Sequence, residues 1–179
     1  MRIPSARIRS EVRRLLELPE AAERPVAVER IARAEGVAVI HQRLNDGEDI
    51  SGFYLRDGTE AIIGVNAAHH PLRQRFTVAH ELGHAVLDRS DGMHIDRAFK
   101  LRNSTSALAI DPDEVAANAF AAELLMPEDE VRQAVGEGLD ITDDRVVKDL
   151  ARRFGVSQQA FAYRLANLGL TLDGQADFG

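Results

Sequence analysis

The chain has 179 residues, 45% of them hydrophobic and 28% charged, which suffices for one globular domain with a buried core and a small appendage. Its formal net charge of −7 argues against broad binding to nucleic acid, and the lack of cysteine excludes disulfides, thiolate metal ligands and a cysteine nucleophile. No apolar run approaches the roughly 20 residues of a membrane-spanning helix, and no secretory signal is recognisable, so we expect a cytoplasmic protein without a membrane partner.

The first half of the chain is predicted to form two helices and a small sheet. Apolar spacing predicts helices over residues 5–18 and 26–35, the second ending at Gly36. Three strand candidates follow, at residues 37–41, 52–56 and 60–65. The dipeptide Asp57-Gly58 predicts a hairpin between the last two of these strands.

The second half is predicted to be helical around one long irregular segment. The predicted helices cover residues 73–88, 111–126, 142–154 and 157–168. Residues 89–110 are predicted to be irregular, and a loop of that length in a compact domain often covers a site. A polar, glycine-containing stretch follows Pro127, and residues 171–179 are predicted to be a frayed tail.

The strongest chemical signal lies in the helix predicted over 73–88, where His80 and His84 are four residues apart. This spacing places both imidazoles on one helix face, where they can bind one metal ion. Glu81 lies about 100° from His80 around the helix, which suits a general base that acts on a metal-activated water. The opposite side is apolar, with Val78, Ala79, Leu82, Ala85 and Val86. This phasing favours a metal site over an incidental pair on a solvated face.

A catalytic zinc site usually has three protein ligands, so one more is needed. The helix predicted over 111–126 offers Glu114 and Glu123, which point about 180° apart. Small residues lie beside Glu114, namely Ala117, Asn118 and Ala121. They would allow close approach to the metal helix at Gly83, a residue that costs about 1 kcal/mol in a helix interior. Glu114 is therefore the preferred third ligand.

A capping box is the competing interpretation of Glu114. Asp111 has the character of an N-cap, Pro112 suits the first helical position, and Glu114 would then bond back to the cap backbone. Spacing alone does not decide between the two roles. Glu123 is interpreted more simply as a solvated residue or as the partner of a nearby cation.

Two segments together resemble the ImmA/IrrE family of metallopeptidases: Arg75–His84 (RFTVAHELGH) and Glu114–Pro127 (EVAANAFAAELLMP). The resemblance implies an α+β fold with a mainly helical, zincin-like core, a small, about three-stranded β-sheet and a C-terminal helical hairpin. The expected organisation is a metallopeptidase domain over 1–130, a helix-turn-helix-like appendage over 131–170 packed on that core, and a flexible tail over 171–179.

The resemblance also implies a site and an activity. By position, His80, His84 and Glu114 match the zinc ligands of the family, and Glu81 matches its catalytic base. We therefore expect one Zn²⁺ per chain and a zinc-dependent endopeptidase whose substrate is a protein, a transcriptional repressor cleaved in a stress or mobile-element response. The alternative is a non-proteolytic antirepressor or antitoxin-like binding module with a structural metal site, although such a site has no use for a base at Glu81.

Two smaller points stay open at this stage. Asp88 stands where relatives often have another histidine, and we favour a helix-end carboxylate over a residue that orients His84. Tyr54, His70 and His94 are unranked candidates to stabilise the oxyanion of the reaction.

The segment over residues 142–168 has the cadence of a helix-turn-helix, with five cations and one acid between Arg145 and Arg164. We favour a packed helical hairpin with a solvated basic face and do not expect DNA binding. Six residues are predicted to pack it: Val146, Leu150, Phe154, Phe161, Leu165 and Leu168.

Overall fold

The computed structural model describes residues 5–44, 50–88, 91–97, 111–136 and 143–170, within which seven α-helices and four β-strands form. The helices are α1 (Ala6–Leu16), α2 (Val28–Ala34), α3 (Pro71–Leu87), α4 (Pro112–Leu125), α5 (Glu128–Val135), α6 (Asp144–Phe154) and α7 (Gln158–Asn167). The strands are β1 (Ala38–Gln42), β2 (Ile50–Asp57), β3 (Glu60–Asn66) and β4 (Gly92–Arg97). The predicted α+β class, a mainly helical core with a small sheet, is confirmed. None of the described helices is both long and apolar enough to cross a membrane.

The sheet has the strand order β1-β3-β2-β4. Strand β1 runs parallel to β3, whereas β2 is antiparallel to both of its neighbours. The predicted hairpin joins β2 to β3, where Asp57 pairs with Glu60 and Gly58 takes a φ of +55°, a conformation that glycine adopts readily. One face of β2 and β3 packs against α3.

Strand β4 corrects the prediction that residues 89–110 are irregular throughout. Gly92–Arg97 form an edge strand on β2, with Tyr54 opposite His94 and Phe53 opposite Ile95. The alternation of Met93, His94 and Ile95 is too short to stand out in the sequence, and pairing with β2 makes it a strand. Residues 89–90 and 98–110 lie outside the described residues, so the loop predicted to cover a site stays a prediction.

Helix α3 is the central element of the molecule. It begins at Pro71, with His70 as the N-cap that accepts a hydrogen bond of 3.2 Å from the backbone N–H of Leu72. Residues 77–86 are all buried, so the predicted apolar side is in the core and the histidine side is buried as well. Both sides are covered because α4, α2, β2 and β3 all pack against this helix.

Helix α5 was not predicted. The stretch after Pro127 looks polar because most of its side chains face solvent, yet Val131 and Val135 are buried one turn apart. Three acidic residues in its first turn, Glu128, Asp129 and Glu130, complement the positive end of the helix dipole. A short helix with only two buried residues gives too weak a periodic signal to be recognised in the sequence.

Helices α6 and α7 form the predicted hairpin. Four of the predicted packing residues are buried and two are partly buried: Leu150, Phe154, Phe161 and Leu165, then Val146 and Leu168. Phe154 and Phe161 stack with ring centroids 5.5 Å apart. The division into a domain over 1–130 and an appendage over 131–170 stays a proposal, since the hairpin is joined to α4 through a buried ion pair.

That ion pair connects Arg164 of α7 to Glu123 of α4. Arg164 also donates to the backbone oxygen of Met126 at 3.0 Å, and Glu123 also accepts from the backbone N–H of Glu128 at 3.2 Å. Of the two roles predicted for Glu123, the structure shows the partner of a cation. It also removes Arg164 from the basic face, which leaves four exposed cations on α6: Arg145, Lys148, Arg152 and Arg153.

We expect replacement of Arg164 by methionine to lower the free energy of unfolding by about 3–5 kcal/mol, because the Glu123 carboxylate would lose its buried charged partner. Arg152→Met is the matched control, since Arg152 pairs with Asp149 at the surface and such pairs contribute about 0–1 kcal/mol. Urea unfolding followed by circular dichroism measures both changes. Equal unfolding midpoints for the two variants would contradict a stabilising role for the buried pair.

Candidate metal centre

The centre is built where α3 and α4 touch. A Cβ atom placed on Gly83 would lie 3.1 Å from Cδ1 of Phe120 and 3.2 Å from Cα of Ala117, so the backbone of α4 rests directly on this glycine. The expectation that Gly83 admits a second helix is therefore confirmed. Glu114 lies about one turn before Ala117 on α4, and the contact carries it to the two histidines of α3.

Three donor groups converge there. His80 Nε2 and His84 Nε2 are 3.2 Å apart, and Glu114 places Oε2 3.4 Å from the first and Oε1 3.6 Å from the second. Ligands of a tetrahedral zinc ion, bound at about 2.0–2.1 Å, are separated from each other by about 3.3 Å. The three groups are thus spaced as three vertices around one small metal ion. Both histidines are buried, while the Glu114 side chain keeps 34% of its surface exposed, which opens the centre on that side.

The structure also shows what caps α4. The Asp111 side chain accepts a hydrogen bond of 2.9 Å from the backbone N–H of Asp113, as expected of an N-cap. Both carboxylate oxygens of Glu114 are instead turned to imidazole rings. Glu123 faces the other side of α4 and pairs with Arg164, as the angular separation of the two glutamates requires.

Glu81 is fully buried beside this group, with 0% of its surface exposed. It lies between α3 and the sheet, where a Cβ atom on Gly52 of β2 would come 3.7 Å from its Oε1. The same Cβ would clash at 2.4 Å with Cγ2 of Thr77 and at 2.7 Å with the backbone oxygen of Gly64. Glycine is thus needed at position 52, because only a residue without a side chain lets β2 pass this close to α3.

Of the three unranked candidates Tyr54, His70 and His94, it is His94 that the structure places in the cluster. Its Nε2 lies 2.6 Å from Glu114 Oε1, and its ring stacks on His84 with centroids 3.7 Å apart. His70 instead caps α3, and the hydroxyl of the buried Tyr54 accepts a hydrogen bond of 2.6 Å from Arg56. No local signal could have ranked His94 first, because apolar residues at 93 and 95 predict that His94 faces solvent, whereas in the structure Met93 and Ile95 are the exposed ones.

The charge states of His84 and Glu114 suit metal binding. Burial, and after it the charge of the neighbouring His94, lowers the pKa of His84 to about 4, so its imidazole is neutral at pH 7. Hydrogen bonds with His80 and His94 hold the pKa of Glu114 well below its usual range, which keeps that group a carboxylate. Hydrogen bonding to Glu114, and then to Glu81, raises the pKa of His94 to about 10. A neutral imidazole and an anionic carboxylate are the forms in which these residues bind a divalent cation.

Asp88 is the C-cap residue of α3, exposed, with its backbone N–H donating at 2.9 Å to the carbonyl oxygen of His84.

A histidine pair on a central helix thus lies beside a glutamate from a second helix, above a small sheet. The family profile described as "IrrE N-terminal-like domain", peptidase family M78, matches residues 32–166. The chain therefore belongs to the ImmA/IrrE family of metallopeptidases, as the resemblance of its two motifs implied.

Three curated relatives share part of the chain. The radiation response metalloprotease IrrE of Deinococcus radiodurans is 35% identical over 109 residues, which are 61% of this chain and 32% of that protein. The protein of the same name from Deinococcus deserti is 34% identical over 113 residues, 62% of this chain and 37% of that one. Immunity region protein 2 of Bacillus phage phi105 is 34% identical over 80 residues, 45% of this chain and 47% of that protein. The matched segment thus spans less than half of each relative.

A solved structure has a similar fold. A transcriptional regulator of Mycobacterium tuberculosis superimposes with a TM-score of 0.57 over 91% of this chain and 47% of the regulator. The two sequences are 18% identical, so this likeness concerns the fold alone.

We expect Gly83→Val to lower the free energy of unfolding by about 2 kcal/mol or more, because the added methyl groups would press on Ala117 and Phe120. Arg13→Val is the control, since it places the same branched side chain at an exposed position of α1. Urea unfolding measures both variants. A Gly83→Val protein as stable as the Arg13→Val control would show that α4 can move away from α3 at little cost.

Proposed function

We propose that this protein is a zinc-dependent endopeptidase, in which His80, His84 and Glu114 hold one Zn²⁺ per chain and Glu81 is the general base. The observation that carries the proposal is the spacing of the three donor groups, 3.2–3.6 Å apart, beside a fully buried carboxylate on the same turn of α3. Membership of the ImmA/IrrE family and the metalloprotease names of two relatives support it.

The donor set favours zinc. Two imidazole nitrogens and one carboxylate oxygen are a common protein contribution to a catalytic zinc site, and they leave a fourth position open. Their combined charge with a divalent cation is about +1, and zinc in such a site lowers the pKa of a water to near 7 and polarises the substrate carbonyl. The exposed side of Glu114 is where substrate would reach the centre.

Proton transfer in this reaction is assigned to Glu81. Glu81 accepts the proton from the attacking water as the water oxygen bonds to the carbonyl carbon, and delivers it to the amide nitrogen as the C–N bond breaks. Since Glu81 is buried, bulk water does not compete for that proton. The neutral form of His84 keeps a nitrogen lone pair available to the metal at pH 7.

For the substrate, we propose a transcriptional repressor, cleaved in the cytoplasm to relieve repression in a stress or mobile-element response. Support comes from the family and from the similarity to an immunity region protein of a phage and to a protease named for the radiation response. The rival is a binding module with a structural metal, which would act on the same repressor by docking. The buried carboxylate of Glu81 disfavours this rival, because a structural site needs no base.

We expect the purified protein to contain one zinc per chain, and Glu114→Gln to weaken zinc binding by more than about 100-fold, because the amide removes the anionic ligand. Asp113→Asn is the matched control, since Asp113 is the exposed acid next to Glu114 on α4. Elemental analysis and competition with a chelator measure stoichiometry and affinity. Manganese or iron at the same stoichiometry would keep the site and change the metal, whereas equal zinc affinity in both variants would exclude Glu114 as a ligand.

We expect Glu81→Gln to retain zinc and repressor binding and to lose about 10²–10⁴-fold in the rate of cleavage, because the amide cannot accept the proton. The zinc-loaded protein is incubated with purified repressors, starting with the product of the adjacent gene, and fragments are identified by mass spectrometry. A reporter gene under the same repressor measures the biological effect. If Glu81→Gln relieves repression as well as the unaltered protein does, docking is the function and hydrolysis is not.

A further inference from the structure

His94 is neither one of the proposed ligands nor the proposed base, yet it contacts two of the ligands and the base. It reaches the centre from strand β4, on a different element from the residues it meets. Its Nε2 lies 2.6 Å from Glu114 Oε1, its Nδ1 lies 3.5 Å from Glu81 Oε2, and its ring stacks on His84. A side chain in contact with one proposed ligand on each helix and with the proposed base is placed to control how they are arranged.

The distances decide what His94 does. A separation of 2.6 Å between nitrogen and oxygen is that of a short, charge-assisted hydrogen bond. It is well below the separation of about 3.3 Å expected between two ligands of one tetrahedral zinc ion. The geometry therefore points to a donor that acts on the carboxylate of Glu114, and His94 is not a fourth ligand.

We propose that His94 is a positioning residue, whose Nε2–H donates to Glu114 Oε1 and holds that carboxylate against the two imidazoles. This inference rests on the proposed zinc site. Glu114 needs such support more than the histidines do. His80 and His84 are packed inside α3, whereas Glu114 extends from α4 with a third of its side chain exposed and three rotatable side-chain torsions.

The sheet provides the rigidity that the role requires. His94 pairs with Tyr54 across β2 and β4, and the adjacent Met93 and Ile95 point outward, with 60% and 43% of their surfaces exposed. The stack on His84, with an interplanar angle of 26°, sets the plane of the His94 ring. Strand β4 thereby fixes the direction of a hydrogen bond to a ligand on another element, as partners of zinc ligands commonly do.

Substitutions of His94 distinguish the contribution of Nε2 from that of Nδ1. In glutamine the amide nitrogen is as many bonds from Cβ as Nε2 is in histidine, and in asparagine it corresponds to Nδ1. We expect His94→Asn and His94→Phe to weaken Zn²⁺ binding about 10- to 100-fold, as loss of a hydrogen bond to a ligand does. We expect His94→Gln to restore most of this loss, because it can donate to Glu114. Met93→Ala, the exposed neighbour on the same strand, is the control and should bind Zn²⁺ normally.

Affinity is measured with Zn²⁺ alone by chelator competition, and each variant is also loaded with Co²⁺ to record the visible absorption bands. Unfolding midpoints without added metal check that the variants fold alike. We expect band positions that report the same set of ligands in His94→Phe as in the unaltered protein. Bands that shift as for a lost ligand would show that His94 binds the metal directly and would overturn the proposal.

Two further results would also overturn it. If His94→Phe binds Zn²⁺ as tightly as the unaltered protein, packing of the ring on His84 is all that matters and the N–H of His94 does not position Glu114. If His94→Asn and His94→Gln bind Zn²⁺ equally, the contact with Glu114 is not what matters. An unaltered protein that takes up no metal would refute the zinc site itself, a failure distinct from either of these.

Discussion

The contact of α4 with α3 at Gly83 is the constraint on which the centre depends. Packed helices have axes about 8–10 Å apart, depending on the side chains at their contact, and small residues allow the closer packing. Gly83 and Ala117 supply them. Because the backbone of α4 meets Gly83, Glu114 comes within 3.4 Å of His80 and within 3.6 Å of His84. A larger side chain at this contact would move the third donor away while leaving both histidines in place.

Burial gives this arrangement its chemistry and its cost. The two imidazoles and the carboxylate of Glu81 are buried, and each would be destabilised there without a polar partner or a metal. Burial keeps His84 neutral, hydrogen bonds keep Glu114 anionic, and both forms are those that a divalent cation requires. The elements around the site compensate through apolar packing, with Leu82, Phe120 and Leu124 fully enclosed. The site is therefore a polar cluster that its surroundings hold together, as is usual where function departs from local stability.

The sheet packs against α3 and also contributes directly to the centre. Gly52 lets β2 pass close to Thr77 and Glu81, and the edge strand β4 carries His94 to the other side of Glu114. The centre thus draws on three separate parts of the chain: α3, α4 and β4. Only the first two have motifs that can be recognised in the sequence, whereas β4, like α5 elsewhere in the chain, has no such motif. Each is short, with at most two residues that follow its period, so that tertiary packing and not local pattern makes it a regular element.

Residue spacing predicts the metal-binding face of α3 and the positions of the long helices, and the second motif, once recognised, favours Glu114 over Glu123 as the third ligand. These features follow from residues close together in the chain, whose spacing on a helix is known in advance. Three other points depend on tertiary packing: that Glu114 faces the imidazoles and does not cap its own helix, that His94 and not Tyr54 or His70 lies in the centre, and that Arg164 belongs to the core and not to a basic surface. Each of these depends on which distant segment packs alongside, and sequence spacing carries no information on that.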